Sequence, residues 1–209
     1  MFRLPRPPGV RRATATCAPV QGGLCLAKPG GLQGFRGVVP VASRPFIYRG
    51  QGFSLRGEKG RFVLPPSFRK VIRESSEDQR VLCVAKHDRF DCLTGFGLSR
   101  LDRLGEELDR EEDRAYQAGR EFDRDTRSAQ LFGFQEVPFD DSGRFILPDF
   151  MVELGGLDDQ LFFQGGGAFF TIWNPEKLFA MGSDWDAAKA ACRAMMADAA
   201  KPAKGRGRK

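Results

Sequence analysis

The chain has 209 residues, of which 41% are hydrophobic, so it is long enough for one or two domains with a buried core. No apolar run approaches the ~20 residues that a membrane-spanning helix needs, which argues against a membrane protein. The formal net charge of +6 is unevenly distributed: residues 1–57 contribute +9, residues 201–209 contribute +5 and residues 58–200 contribute −8. A polyanion must therefore bind to the basic ends or to a local basic patch on an acidic body.

The first 46 residues predict no folded element. The stretch "LPRPPGVRRATATCAPVQGGLCLAKPGGLQG" carries Pro and Gly throughout and has no apolar period, so it cannot bury enough surface to offset the entropy of ordering. It lacks the continuous apolar segment of a secretory signal, whereas its Arg-rich, acid-free composition has some transit-peptide character. The other interpretation is a surplus leader, produced by a start codon set too far upstream.

An internal repeat is the strongest pattern in the chain. Residues 60–65 read "GRFVLP" and residues 143–148 read "GRFILP". The glycine that opens each copy can take the positive φ of a tight turn, and a short apolar strand follows it. The proline that ends each copy suits the first turn of a helix. The segments after it, "PSFRKVI" and "DFMVELG", are therefore predicted to be short helices.

The resemblance between the two halves continues beyond the repeat. Residues 80–96, "RVLCVAKHDRFDCLTGF", and residues 160–175, "QLFFQGGGAFFTIWNP", each contain two apolar runs split by a turn, which predicts a β-hairpin. Each half is therefore predicted to be strand, short helix, strand, strand. A unit of ~45 residues is small for an independent domain, so we expect the two copies to share one core.

Two charged helices are predicted between the halves. Leucines recur at spacings of 3, 3 and 4 from Leu98 to Leu108, and a second stripe runs from Ala115 to Ala129. The two helices are expected to pack as an antiparallel pair. Their charged residues form either a solvated face or a contact between subunits.

A last helix is predicted near the C-terminus. Residues 183–201, "SDWDAAKAACRAMMADAAK", are rich in Ala, and Ser183 is a plausible N-cap with acids in the first turn. We expect this helix to leave the core. The basic tail that follows should stay flexible and be able to reach phosphates.

No pattern indicates an enzyme, a metal site or a cofactor. The cysteines form no CxxC pair, and the one histidine, His87, lies in a polar turn. Cys83 and Cys92 either face each other on neighbouring strands or are small buried hydrophobes. The glycines at 165–167 do not open a phosphate-binding helix. No catalytic residue and no metal ligand is therefore assigned.

Taken together, these features resemble the MraZ family of bacterial transcriptional regulators. The resemblance covers roughly residues 47–182, and it includes "YRGQGFSLRGEKGRFVLPPSFR", "VPFDDSGRFILP" and "GGGAFFTIWNPEKL". The family carries an Asp-x-x-x-Arg motif in each half, which Asp140 and Arg144 match in the second half. The first half keeps Lys59 and Arg61.

The chain departs from the family pattern at two positions. Gly57 stands where the first motif has its Asp. The family also tends to have an Arg after the proline of each half. Arg69 matches it in the first half, and Val152 replaces it in the second. Each half has thus lost one polar element and kept another.

The resemblance implies an α+β fold of two pseudo-symmetric SpoVT-AbrB-like half units of β-barrel type, each a strand, a helix and a hairpin. A central helical pair and a C-terminal helix complete it. The expected boundaries are a leader over 1–46, unit 1 over 47–96, the helical pair over 97–132, unit 2 over 133–182, a helix over 183–200 and a disordered basic tail over 201–209.

The resemblance also implies binding to double-stranded DNA. An Asp and an Arg four residues apart across a turn can hold each other by charge-assisted hydrogen bonds, which leaves guanidinium donors for phosphate or guanine. The alternative is that the pair only braces the turn. The expected DNA-binding residues are Lys59, Arg61, Arg69, Asp140 and Arg144.

By the same resemblance, the protein is expected to form a ring-like homo-oligomer that binds short tandem repeats in promoters. It would act in the cytoplasm and nucleoid, most simply as a repressor of its own promoter and of the division and cell-wall gene cluster. The alternative is an antitoxin-like protein-interaction module without its own operator. No cofactor and no membrane partner are expected.

Overall fold

The computed structural model describes residues 46–201 and has a mixed α/β architecture with six α-helices and a mostly antiparallel sheet. The predicted leader and the tail after residue 201 lie outside the described residues. The first half contains β1 (Gln51–Leu55), β2 (Phe62–Val63), α1 (Pro66–Ser75), β3 (Val81–Lys86) and β4 (Leu93–Phe96). The central pair is α2 (Leu101–Gln117) and α3 (Arg124–Phe132). The second half contains β5 (Gln135–Pro138), β6 (Arg144–Phe145), α4 (Asp149–Gly155), β7 (Gln160–Gly165) and β8 (Phe170–Trp173), followed by α5 (Pro175–Phe179) and α6 (Asp186–Ala199).

The two halves interlock in one sheet. Its strand order is β1-β7-β8-β4-β3-β5, which reads the same when the two halves are exchanged. The first strand of each half pairs with the hairpin of the other half, with Phe53 opposite Phe162 and Leu82 opposite Val137. Strands β2 and β6, which carry the repeated sequence, form a separate two-stranded ladder. The shared core expected from the small size of each unit is therefore confirmed.

The predicted hairpins and short helices are present, but each half also has a first strand that the sequence pattern did not indicate. In β1 the buried positions are Gly52 and Ser54, while Phe53 is only partly buried. A Cβ atom on Gly52 would lie 2.2 Å from the Pro65 side chain, so only glycine allows this close approach. The usual alternation of apolar and polar residues is thus inverted in β1.

Two clusters of buried side chains stabilise the sheet. The larger cluster joins the sheet to α1 and α4 and contains Phe68, Met151 and Phe163. The second cluster lies under α5 and α6 and is centred on Phe162 and Trp173. Phe162 and Phe163 are consecutive on β7 and belong to different clusters, as the alternation of side chains along a strand requires.

The described cysteines are buried and unpaired. Cys83 lies opposite Phe96 on β4, whereas Cys92 packs in the second cluster with Cys192. Cys83 and Cys92 therefore do not face each other, and their interpretation as small hydrophobic residues is the one the structure supports. Burial raises the pKa of Cys83 and Cys92 to about 12, so both thiols are protonated at neutral pH.

The last helix is present, but two details of its prediction were wrong. It does not leave the core, because Ala188 and Cys192 are buried against the second cluster. Ser183 does not cap the helix. It begins a short 3-10 turn, and α6 starts after Trp185 without a side-chain cap. The small side chains four residues apart let the helix approach the sheet closely.

The central helices pack with Leu131 of α3 against Leu104 and Leu108 of α2, which confirms the antiparallel pair. The predicted start of the second helix, at Ala115, was too early, because Ala115 belongs to α2. Helix α3 begins after Asp123, whose carboxylate caps it by accepting the Thr126 N–H at 3.0 Å. Among residues 46–201, every helix is too short or too polar to span a lipid bilayer.

Candidate nucleic-acid interface

The second turn, residues 140–144, is organised by one carboxylate. Asp140 Oδ1 accepts the backbone N–H groups of Ser142 and Arg144, both at 2.9 Å, and Oδ2 accepts Arg144 Nε at 2.7 Å. Gly143 supplies the positive φ, +80°. The backbone N–H of Arg144, followed by its guanidinium, lowers the pKa of Asp140. The ion pair expected across this turn is therefore present, and half of the Arg144 side chain remains exposed.

Two arginines of the first half also hold the second turn. Arg69 Nη1, on α1, donates to the Asp141 carbonyl oxygen at 3.1 Å. Arg80 Nη2, just before β3, lies 2.8 Å from Asp141 Oδ1. The Arg69 side chain packs so closely on Gly143 that an added Cβ there would lie 3.0 Å from Arg69 Cδ. Arg80 carried no signal in the sequence, because its role depends on strand pairing between the halves.

The first turn, residues 57–61, is held by fewer hydrogen bonds than the second. The Gly57 N–H donates to the Arg61 carbonyl oxygen at 2.7 Å, and Gly57 has no side chain to accept the N–H groups of the turn. Lys59 and Gly60 both have positive φ, 60° and 70°. The guanidinium of Arg61 forms no hydrogen bond with any residue of 46–201, and a Cβ atom on Gly60 would meet only the Arg56 guanidinium, at 3.5 Å.

Strand pairing brings the two turns together. Val63 lies opposite Arg144 and Phe62 opposite Phe145 in the antiparallel ladder of β2 and β6. The Leu64 N–H also donates to the Gly143 carbonyl oxygen at 2.8 Å. Because the ladder is antiparallel and short, the two turns flank it at its opposite ends, and Arg61 and Arg144 lie only about 7 Å apart along the strands.

We call this region the paired-turn surface. It combines the cations of both turns with the arginines that flank them. Its basic members are Arg56, Lys59, Arg61, Arg69, Arg80 and Arg144. Its acids are Glu58, Asp140, Asp141 and Asp159, the last paired with Arg56, so six basic residues face four acids and the surface is a local basic patch on a body whose residues 58–200 carry −8. The structure thus places all five predicted site residues in or beside the two turns that flank this ladder.

Other chemistry-bearing residues have structural roles. His87 Nδ1 accepts the N–H groups of Arg89 and Phe90, at 3.0 and 3.3 Å, so it closes a turn, and its pKa is lowered chiefly by burial. Within residues 46–201, no group of three His, Cys, Asp or Glu side chains is arranged to hold a metal ion.

The chain is similar to several proteins named transcriptional regulator MraZ. The one from Parvibaculum lavamentivorans is 33% identical over 129 residues, 61% of this chain and 76% of that protein. The one from Rhodospirillum rubrum is 32% identical over 123 residues, 57% of this chain and 74% of that protein. The one from Solidesulfovibrio magneticus is 27% identical over 131 residues, 61% of this chain and 80% of that protein. No protein-family model matches the chain.

Proposed function

The chain belongs to the MraZ family of transcriptional regulators, and on that premise we propose that it binds double-stranded DNA in a sequence-specific manner through the paired-turn surface. Its two halves would correspond to two SpoVT-AbrB-like units. The predicted DNA-binding residues Lys59, Arg61, Arg69, Asp140 and Arg144 are all members of this surface.

The observation that carries the proposal is the Arg144 side chain. Its Nε is fixed by Asp140 at 2.7 Å while half of the side chain stays exposed, so the terminal nitrogens keep donors for a ligand. A planar guanidinium of fixed direction suits bidentate contact with guanine O6 and N7 or with a phosphate. Lys59 on the neighbouring turn is exposed and adds a charge for the DNA backbone.

One such surface is small for a specific DNA reader, so we propose that the protein acts as a ring-like homo-oligomer. Several surfaces on one assembly would raise the affinity through a high effective concentration, and would suit short tandem repeats about one helical turn apart. Exposed apolar side chains support self-association. Ile146, Phe150 and Leu154, on and beside α4, are 52%, 55% and 46% exposed.

The family membership supports a proposal for the regulatory target. We propose that the protein acts in the cytoplasm and nucleoid as a repressor of its own promoter and of the division and cell-wall gene cluster. The expected operator is a set of tandem repeats upstream of its own gene.

Footprinting on the DNA upstream of the protein's own gene, at defined salt, tests the proposal. Protection of regularly spaced repeats is expected, and sedimentation should find an assembly much larger than the 23.2 kDa chain. Binding no tighter than to a shuffled duplex of the same composition would overturn the specific function. A monomer with full specific affinity would overturn the ring.

A further inference from the structure

We infer that the two turns of the paired-turn surface have unequal roles on DNA. The second turn, through Arg144, discriminates base sequence, whereas the first turn, through Lys59 and Arg61, supplies affinity for phosphates. This division rests on the proposed function, because it presupposes that the surface binds DNA. Arg69 and Arg80 are positioning residues in this arrangement, since each holds the second turn and makes its guanidinium less available to DNA.

The first step is the difference in bracing. The second turn has three hydrogen bonds to Asp140, one from Arg69 Nη1 and one ion pair with Arg80. In the first turn the corresponding carboxylate is replaced by Gly57, and the Arg61 guanidinium has no partner in residues 46–201. Reading a base edge requires a guanidinium held in one direction, because both hydrogen bonds to guanine must form together.

The second step explains why both departures from the family pattern weaken the same turn. Helix α1 belongs to the first half, yet its Arg69 holds the turn of the second half. The position in α4 that corresponds to Arg69 is Val152, which has no side-chain donor. The first turn has therefore lost its own carboxylate at Gly57, and it has no arginine from the other half. In sequence, the missing carboxylate lies in the first half and the missing arginine in the second. In the structure, both would have braced the first turn.

The third step is charge. Around the first turn, Arg56 pairs with Asp159 at 3.5 Å, whereas Lys59 and Arg61 form no ion pair or side-chain hydrogen bond within residues 46–201. Around the second turn, the basic side chains are each engaged by Asp140 or by Asp141. Cations without fixed partners can follow the phosphates of any sequence, since a phosphate contact requires charge more than direction.

Matched alanine variants test the division. Binding of Arg61→Ala and Arg144→Ala is measured over a series of salt concentrations, with the upstream duplex and a shuffled duplex of equal composition. Arg144→Ala should lower the ratio of specific to shuffled affinity by at least about fivefold, the loss expected for one bidentate base contact. Arg61→Ala should weaken both duplexes alike and flatten the log–log salt slope by about 0.9. Equal losses of discrimination in both variants would overturn the inference.

A gain of function provides the second test. Gly57 has an extended backbone, φ −92° and ψ −169°, and an added Cβ would lie at an ordinary 3.5 Å from the Arg61 carbonyl oxygen, so a side chain fits there. Gly57→Asp should rebuild the missing brace and raise discrimination several-fold. Gly57→Ala is the matched control, which adds the Cβ but no carboxylate and should leave discrimination unchanged. If both variants behave like the wild type, fixing Arg61 does not create base reading and the inference is wrong.

The positioning role is tested at Arg69. Arg69→Met should reduce discrimination without changing the salt slope, and Arg69→Lys, which keeps a donor for the Asp141 carbonyl oxygen, should restore most of it. A flatter salt slope with unchanged discrimination would instead make Arg69 a phosphate contact. These outcomes differ from failure of the proposed function, in which the wild type would show no preference for the upstream duplex.

Discussion

The first and second halves of the chain carry the same fold with different surfaces. Buried positions match across the halves, with Phe62 and Phe145 at 1% and 2% exposure and Leu64 and Leu147 at 0% and 4%. Positions outside the core do not match, since the exposed Lys59 corresponds to Ser142 and the half-buried Arg69 to the half-buried Val152. Close packing tolerates little change of volume in a shared core, whereas exposed side chains can change at small energetic cost.

The helices extend this contrast. On α1 the exposed residues include Ser67 and Lys70, whereas on α4 the corresponding residues are Phe150 and Glu153, and Phe150 is 55% exposed. The two halves thus present a polar and a partly apolar helix on a symmetric scaffold. A duplicated fold can therefore keep one core and assign different tasks to its two outer surfaces.

Truncation of the matched phenylalanines should have the largest effect. Phe62→Ala and Phe145→Ala each remove a buried ring from the same ladder, where the two ring centroids are 6.1 Å apart. Each change should cost about 3–5 kcal/mol of the free energy of unfolding. Urea unfolding should remain a single transition in both variants, because the halves share one core. Two separate transitions would show that the halves fold independently and would contradict the shared core.

The turn glycines should show an intermediate and unequal effect. Gly60→Ala and Gly143→Ala both place a side chain at positive φ, which costs about 1–2 kcal/mol. At Gly143 the new methyl group would also meet the Leu64 carbonyl oxygen at 3.2 Å and Arg69 Cδ at 3.0 Å, whereas at Gly60 its nearest neighbour is at 3.5 Å. Chemical denaturation should therefore find Gly143→Ala the less stable variant. The opposite order would contradict the tighter packing of the second turn.

The smallest expected effect is the pH dependence of stability that Asp140 adds to the second turn, because Gly57 gives the first turn no corresponding carboxylate. The pKa of Asp140 is lowered in the fold, chiefly by the N–H of Arg144, so the unfolded chain binds a proton first as the pH falls. The stability that Asp140 adds is complete above the unfolded value of about 3.9 and is lost as the pH drops through the folded value.

Thermal melts of wild type and Asp140→Asn between about pH 6 and pH 2 measure this contribution. The wild type should melt higher at neutral pH, and the difference should shrink in acid. Asp123→Asn is a useful control, since the pKa of Asp123, the N-cap of α3 and no part of either turn, is also lowered by its hydrogen bonds with Thr126. It should change the pH dependence of the melts without changing DNA discrimination. If the difference in melting temperature between wild type and Asp140→Asn stayed constant with pH, the ion pair would not contribute to the stability of the turn.

Much of the local structure could be read from the sequence alone. The repeated hexapeptide predicted both glycine turns and the helices after them, and the split apolar runs predicted both hairpins. The pairing of Asp140 with Arg144 was also predictable, because it joins residues only four apart across one turn. These features depend on short-range sterics, periodicity and capping, which a few neighbouring residues determine.

Only the tertiary structure decided which segments meet across the chain. Strand β1 escaped prediction because its buried residues are Gly52 and Ser54, a pattern that makes sense only once Pro65 is packed against it. The docking of α6 likewise depends on the burial of Cys192 in the second cluster, which also contains Trp173. Such partners are distant in sequence, and their choice depends on the fit of packed surfaces rather than on any local period.

The same limit applies to the candidate site. The sequence, through its resemblance to the family, showed that Gly57 and Val152 depart from the family pattern, with one departure in each half. The exchange of strands between the halves places Arg69 and Arg80 on the turn of the other half, so both losses weaken the first turn. Local sequence determined the two turns because their geometry is set by a few adjacent dihedral angles. Tertiary pairing decided what braces each turn, because the bracing side chains come from about 60 to 70 residues away along the chain.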